Sequence, residues 1–338
     1  MKFVLNEQII LTEDMKFNAT SKAREDVNRT FRDCGFKVVE MTYVQNKRLP
    51  YLTYFRILID LLVFAIRIGK KHDIYLQYPI NQHPRNLKLF SKLLHLRDNR
   101  LIIIVHDIQG IRDKNDAWLQ QEIAFLNTTD KVICHTPAME EKLKQWGLAT
   151  ATDILYLFDY YVNEKTYRVP TLEKDVVVFA GNLIKSKFIS QLIQTPFKYI
   201  KFRYYGMPEL EITDEKCHEY CGRFTPDNVN YIKGGWGLVW DGDSLETCSG
   251  EKGDYLRYNS SHKISLYLAA GIPLIVWEHS SLAKWIKDKN IGICIQNISE
   301  LESSIQSISD DEYRIMANNV LGISKELRNG IFLKKHIM

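Results

Sequence analysis

No Gly-x-Gly-x-x-Gly follows any apolar run of this 338-residue sequence. The glycine fingerprint of hydride-transferring dehydrogenases is therefore missing. No repeat at a solenoid period and no low-complexity tract appears, which excludes stacked-repeat folds. An excess of one charge is also missing: 45 Lys+Arg against 41 Asp+Glu leaves +4. That is too little to argue for nucleic acid as a partner. The six cysteines are scattered. Cys217 and Cys221 lie close together, but no second Cys/His pair stands nearby to complete a zinc site. Free thiols in a reducing cytoplasm are expected. The opening MKFVLNEQIILTED has no basic region followed by an apolar core and cleavage site, so no signal peptide is read there.

Long uninterrupted apolar runs are scarce too. YLTYFRILIDLLVFAIRIGKK (51–71) comes nearest, and Arg56, Asp60 and Arg67 make it too costly to span a bilayer. Its apolar positions Phe55, Leu58, Ile59, Leu62, Val63 and Ile66 recur at helical spacing. They predict a helix packed on a core. The sharper alternative adds peripheral membrane contact through Arg56, Arg67, Lys70 and Lys71.

What is present is a well-cored globular composition, 45% hydrophobic and 12% aromatic, long enough for two domains. Short apolar runs alternate with helical patterns. In the first half strands are expected at Phe3–Leu5, Lys37–Thr42, Asp73–Tyr78, Leu101–His106, Lys131–His135 and Ile154–Phe158, with helices between them. RLIIIVHD is apolar on consecutive residues, as in a strand covered on both faces. After the polar DYYVNEKTYRVPTLEK the alternation restarts with DVVVFAGN (175–182). Further strands are expected at Tyr199–Tyr205, His218–Cys221, Gly237–Trp240, Pro273–Trp277 and Gly292–Ile295. Helices are expected at Ser186–Ile193, Pro226–Tyr231, Ser261–Ala269, Ser281–Asp288 and Ile298–Ile308. The pattern predicts an α/β protein of two Rossmann-like doubly wound domains facing a central cleft. The expected boundaries are 1–165, 166–310, and a helical segment 311–338 that packs back towards the first domain.

Ligands in such folds sit at the carboxyl ends of strands. After the first strand, Thr20, Ser21 and Lys22 open a helix where an acceptor or phosphate could approach exposed N–H groups; an ordinary Ser/Thr cap is the alternative. After the fourth come His106 and Asp107, a pair suited to general-base work or, more plainly, a packed histidine and a turn-capping aspartate. In FAGNLIKSK, Gly181 and Asn182 follow a buried strand, with Lys185 within reach of a phosphate. In WDGDSLETCSGEKGDYLRYNSSHKISLYLAAGIPLIV, residues Asn259, Ser260 and Ser261 offer cap side chains before His262 and Lys263. A cation in a first turn opposes the helix dipole unless an anion binds there. Asp241 and Asp243 could hold a divalent metal, but Lys263 already supplies countercharge, so no metal is expected.

GLVWDGDSLETCSGEKGDYLRYNSSHKISLYL, with IVHDI, FAGN and FNATSKAREDV, resembles the bacterial O-antigen β-1,6-galactofuranosyltransferases. More broadly the sequence resembles streptococcal adhesin glucosyltransferases and the GT-B class, through AAGIPLIV. The resemblance implies an enzyme of surface polysaccharide synthesis; with the thiols and the 51–71 helix, the expected place is the cytoplasm, with a peripheral position on the inner face of the cell membrane as the alternative. It implies a UDP-sugar donor on the C-terminal domain and a glycan acceptor, lipid-linked, on the N-terminal one. Transfer would be inverting and metal-free, with no cofactor, and a homo-oligomer is possible. Asn182 and Lys263 would contact the diphosphate, assisted by Ser261, His262, Gly181 and Lys185. Asp241, Asp243 and Glu246 would read donor hydroxyls. Asp107 would be the base, with His106 next and Asp14 in reserve. Many GT-B enzymes hold the ribose with a glutamate in the helix before Ala-x-Gly-x-Pro. KISLYLAAG has none. A hexopyranose donor, or a non-catalytic UDP-binding partner of another transferase, are the alternatives.

Overall fold

The computed structural model describes residues 2–9, 21–43, 50–163, 173–207, 209–212, 216–250 and 253–338. Thr20, Asp14 and Glu251 lie outside them. The chain forms two compact units. The first runs through Tyr156 and takes in Leu333–Met338; the second covers Leu157–Phe332.

The first unit is built from β1 (Lys2–Ile9), α1 (Lys22–Asp33), β2 (Lys37–Tyr43), α2 (Pro50–Arg67), β3 (Asp73–Tyr78) and α3 (Pro84–His95). It continues with β4 (Arg100–Val105), α4 (Gln109–Arg112), α5 (Asp116–Leu126), β5 (Lys131–Cys134), α6 (Pro137–Gln145) and β6 (Thr152–Ile154). Its six strands lie in the order β2-β1-β3-β4-β5-β6, all neighbours parallel. The sheet is covered on both faces, so Leu101 to Val105 are all buried. Helices start where short side chains take the first amides. Asn115 accepts from Trp118 N at 3.0 Å, and Thr136 accepts from Met139 N at 3.1 Å just ahead of Pro137. The sixth strand ends earlier than its apolar run suggests. Tyr156 has φ 64°, a left-handed conformation that no strand continues through.

The second unit comprises β7 (Val176–Asn182), α7 (Ile189–Leu192), β8 (Lys201–Met207), β9 (His218–Tyr220), β10 (Trp236–Val239), α8 (His262–Ala269), β11 (Leu274–Trp277), α9 (Ala283–Asp288), β12 (Gly292–Ile295), α10 (Leu301–Gln306) and α11 (Asp310–Arg328). A last helix, α12 (Ile331–Ile337), follows. The order is β12-β11-β10-β7-β8-β9, again parallel. Trp236, Trp240 and Trp277 are fully buried in one cluster with Phe179, Phe202 and Tyr204. The expected helix over 186–193 shrinks to the single turn of α7, and 226–231 holds only a 3-10 turn at Val229–Tyr231. Isolated short helices lack the hydrogen bonds to offset nucleation.

Helix α8 is fixed at both ends. A Cβ on Gly237 of β10 would overlap the Tyr267 ring, so helix and strand touch backbone to ring. Tyr267 in turn accepts Ala180 N at 2.8 Å. At the far end Gly271 has φ 77°. Its N–H donates to Leu268 O at 3.0 Å and that of Ile272 to Tyr267 O at 2.9 Å, which stops the helix ahead of Pro273. Ser324 and Arg328 of α11 cap the Ala269 carbonyl, placing a cation at the negative end of the dipole.

Candidate active site

A sheet changes winding direction between two strands, and the crevice there has no loop crossing it. In the second unit that point lies between β7 and β10. β7 ends on Gly181 and Asn182; β10 runs into Trp240 and Asp241. Gly181 pairs in register with Gly206 of β8. A Cβ on Gly206 would overlap the Gly181 carbonyl, so both strand ends stay bare of side chains.

Lys263 in the first turn of α8 lies across this floor. A Cβ on Gly181 would meet Lys263 Cε at 3.2 Å, and the ammonium sits 5.1 Å from the centre of the Phe179 ring. That cation–π contact is electrostatically favourable but does not neutralise the charge. Among the described residues no carboxylate stands within 4.0 Å of Lys263 Nζ. Ser261, the N-cap residue, makes no side-chain cap bond, contrary to the cap expected there. Asn259 Oδ1 is buried without a partner among the described residues. His262 packs its ring on Tyr160, centroids 5.1 Å apart.

The loops after β7 and β10 interlock. Asn182 Oδ1 accepts Lys185 N at 2.8 Å, which turns the chain directly after the strand. Phe188 N donates to Gly242 O at 3.4 Å, and Lys187 Nζ stands 3.5 Å from Asp243 Oδ1. Asp241 Oδ1 accepts its neighbour Gly242 N at 3.1 Å. Gly242 has φ +107°, and a Cβ there would press on Ser249 O at 2.5 Å. Trp240 Nε1 donates to Ser244 O at 2.9 Å and Ile298 N to Leu245 O at 2.8 Å. Burial pushes the Cys248 thiol well up, offset in part by the Asp241 amide and the nearby Lys263 and Arg257 charges. Gly181, Asn182, Lys263, Asp241 and Asp243 thus belong to one cluster. Glu246 is exposed, its amide bonded to Ser244 Oγ at 3.0 Å. Among the described residues no group of three or more His, Cys, Asp or Glu is arranged to hold a metal ion.

In the first unit, Asp107 accepts Arg112 Nη1 at 3.0 Å. His106 Nε2 is 2.8 Å from Gln77 Oε1, while Gln77 Nε2 donates to Asn28. That chain puts the proton on His106 Nε2, leaving Nδ1 as its basic nitrogen when neutral. The loop from Asp107 to Arg112 hangs on Glu122, a fully buried acid of α5. Its carboxylate accepts Gln109 N at 3.1 Å, Gly110 N at 2.7 Å and Tyr78 OH at 2.7 Å. Burial raises the Glu122 carboxyl above the usual range, against the lowering pull of those donors and of Arg112. A Cβ on Gly110 would lie 2.5 Å from Leu119 Cα, so the turn needs glycine to approach α5. Sequence reading missed Glu122. Its signal was an acid between Leu119, Ile123 and Leu126 on the apolar face of α5. Lys22 is buried and paired with Asp26 at 2.5 Å. Ser21 caps α1 without a side-chain bond.

Residues 6–157 match the family description for the N-terminal domain of glucosyltransferase 3-like proteins, and 177–338 that for their C-terminal domain. The chain belongs to the glucosyltransferase 3-like family. This glucosyltransferase 3-like protein is 29% identical over 326 residues to the β-1,6-galactofuranosyltransferase WbbI of Escherichia coli (strain K12), covering 91% of this chain and 94% of WbbI. It is also 29% identical over 252 residues to glucosyltransferase 3 of Streptococcus gordonii, covering 73% and 72% of the two chains. Its fold is similar to that of sucrose-phosphate synthase from Thermosynechococcus elongatus, TM-score 0.65 at 14% identity, over 99% and 97% of the chains. It is likewise similar to Anabaena HepE solved with UDP, TM-score 0.62 at 12% identity, over 100% and 98%. The fold is GT-B, each domain Rossmann-like, and the protein is a glycosyltransferase.

Proposed function

We propose that the protein transfers galactofuranose from UDP-galactofuranose to a lipid-linked glycan acceptor in surface polysaccharide synthesis, with inversion and without a metal ion. The observation that carries this reading is Lys263: a half-buried cation at a helix start and switch point, with no carboxylate beside it among the described residues. A diphosphate answers all three features at once, since N–H groups, dipole and ammonium then face an anion. The galactofuranose assignment is supported by the WbbI match, which spans 91% of the chain.

In the reaction, the acceptor hydroxyl oxygen attacks the anomeric carbon opposite the UDP, and the bond to the diphosphate oxygen breaks. Lys263, Asn182 and the first-turn amides of α8 stabilise the departing charge electrostatically. Asp241, Asp243 and Glu246 hold donor hydroxyls. The N-terminal domain binds the acceptor, and Asp107 takes its proton, oriented by Arg112 and the Glu122-anchored turn. His106 Nδ1 is the second choice.

A panel of UDP-sugars, read out as UDP release with EDTA present, tests the proposal. Preference for UDP-galactofuranose at undiminished rate is expected. Preference for UDP-glucose would favour the second reading, which the family description supports. UDP binding with no release from any donor would remove catalysis altogether.

A further inference from the structure

Helix α2 has two apolar faces, and only one is used by the fold. Ile57, Leu61 and Ala65 are buried against the first unit. Opposite them Leu52 is 61% exposed, Phe55 57%, Ile59 58% and Ile66 60%, with Val63 between. At 3.6 residues per turn these five fall within roughly 80° of arc. Arg56 and Arg67 flank the stripe on one side, and Lys70 and Lys71 follow the helix end, all exposed. None of the four cations is in an ion pair among the described residues. Asp60 is the acid on that flank, half-buried. The neighbouring α3 packs Phe90 near Phe64 of α2 and exposes Leu89, Arg85 and Lys92.

We infer that this stripe is a docking surface for an anionic lipid bilayer. An apolar ridge bordered by exposed cations fits a helix lying in the headgroup plane, where apolar side chains enter the acyl boundary and cations meet lipid phosphates. The helix does not cross the bilayer: no helix among the described residues is long and apolar enough. A second copy of the chain fits less well. A two-fold contact through the stripe would set each basic rim against its own image, a like-charge juxtaposition. The inference is independent of donor and acceptor identity.

Flotation of the purified full chain with vesicles tests it. Binding to phosphatidylglycerol/phosphatidylcholine vesicles is expected at low salt, with little binding to phosphatidylcholine alone and release as salt rises. The double variant Ile59→Glu/Ile66→Glu should abolish binding, and Arg67→Glu/Lys70→Glu should weaken it by about fivefold or more per charge. All four positions are exposed, so the variants should melt like the parent. Failure of the wild type to float with anionic vesicles would overturn the inference. So would binding that both variants leave intact. A lipid-free dimer dissolved by Ile59→Glu/Ile66→Glu, without vesicle binding, would assign the stripe to a second copy instead.

Discussion

The two sheets reverse their winding at different places, and what fills each place differs in kind. In the first domain the reversal lies between β1 and β3. Its polar groups there answer one another. Glu7 accepts Asn81 N at 3.1 and 3.0 Å, and Arg24 donates to Gln77 O at 3.1 Å and to Pro79 O. Lys22 nearby is buried on Asp26. In the second domain the reversal between β7 and β10 is floored by glycine and crossed by a lysine with no carboxylate beside it among the described residues. One architecture, used twice, has its described polar groups bonded to one another at one reversal and keeps a charge at the other. A half-buried cation with no carboxylate beside it among the described residues fits a place that an anion completes, as proposed above.

The contrast can be broken from either side. Lys22→Ala would strip a buried aspartate of its lysine, a loss of about 3–5 kcal/mol in stability. It should appear as a lowered urea midpoint, largely regained by pairing Lys22→Met with Asp26→Leu. Next in size is a pH effect on the same domain. Burial lowers the His135 pKa from 6.5 to about 4, so the folded state holds the ring neutral while the unfolded chain binds a proton. Stability is then full above pH 6.5 and falls as pH drops towards 4, by roughly 3 kcal/mol in all. Urea titrations at both ends of that range should lose this slope in His135→Gln. On the other side, Lys263→Ala should leave melting near the parent value yet cut kcat/KM by ~30-fold or more, about 2 kcal/mol of transition-state binding. Near-normal turnover there would end the diphosphate assignment. The smallest effect belongs to Lys187→Ala. Its partner Asp243 is 3.5 Å away and both are exposed, so stability should change by less than about 1 kcal/mol.

Strands written as consecutive apolar residues were legible almost to the residue: Asp73–Tyr78 and Gly292–Ile295 fall where expected. Short helices were not, because their apolar spacing is shared by turns whose fate depends on tertiary contacts. The one-turn α4 is an example, since it hangs on Glu122, distant in sequence. Lys263 was readable as an oddity of placement. That it stays unmatched among the described residues, while Lys22 finds a partner one turn on, became visible only in three dimensions.

The loop from Trp240 to Gly250 owes its shape to main-chain bonds, glycines, one tryptophan N–H and the short side chains of Asp241 and Ser244. Asp243 and Glu246 contribute almost nothing to that shape. Residues at these two positions can therefore be exchanged without disturbing the frame that presents them. Such a loop is evolvable: if those two side chains meet the donor sugar as proposed, a library at Asp243 and Glu246 should vary donor preference while its members melt close to the parent.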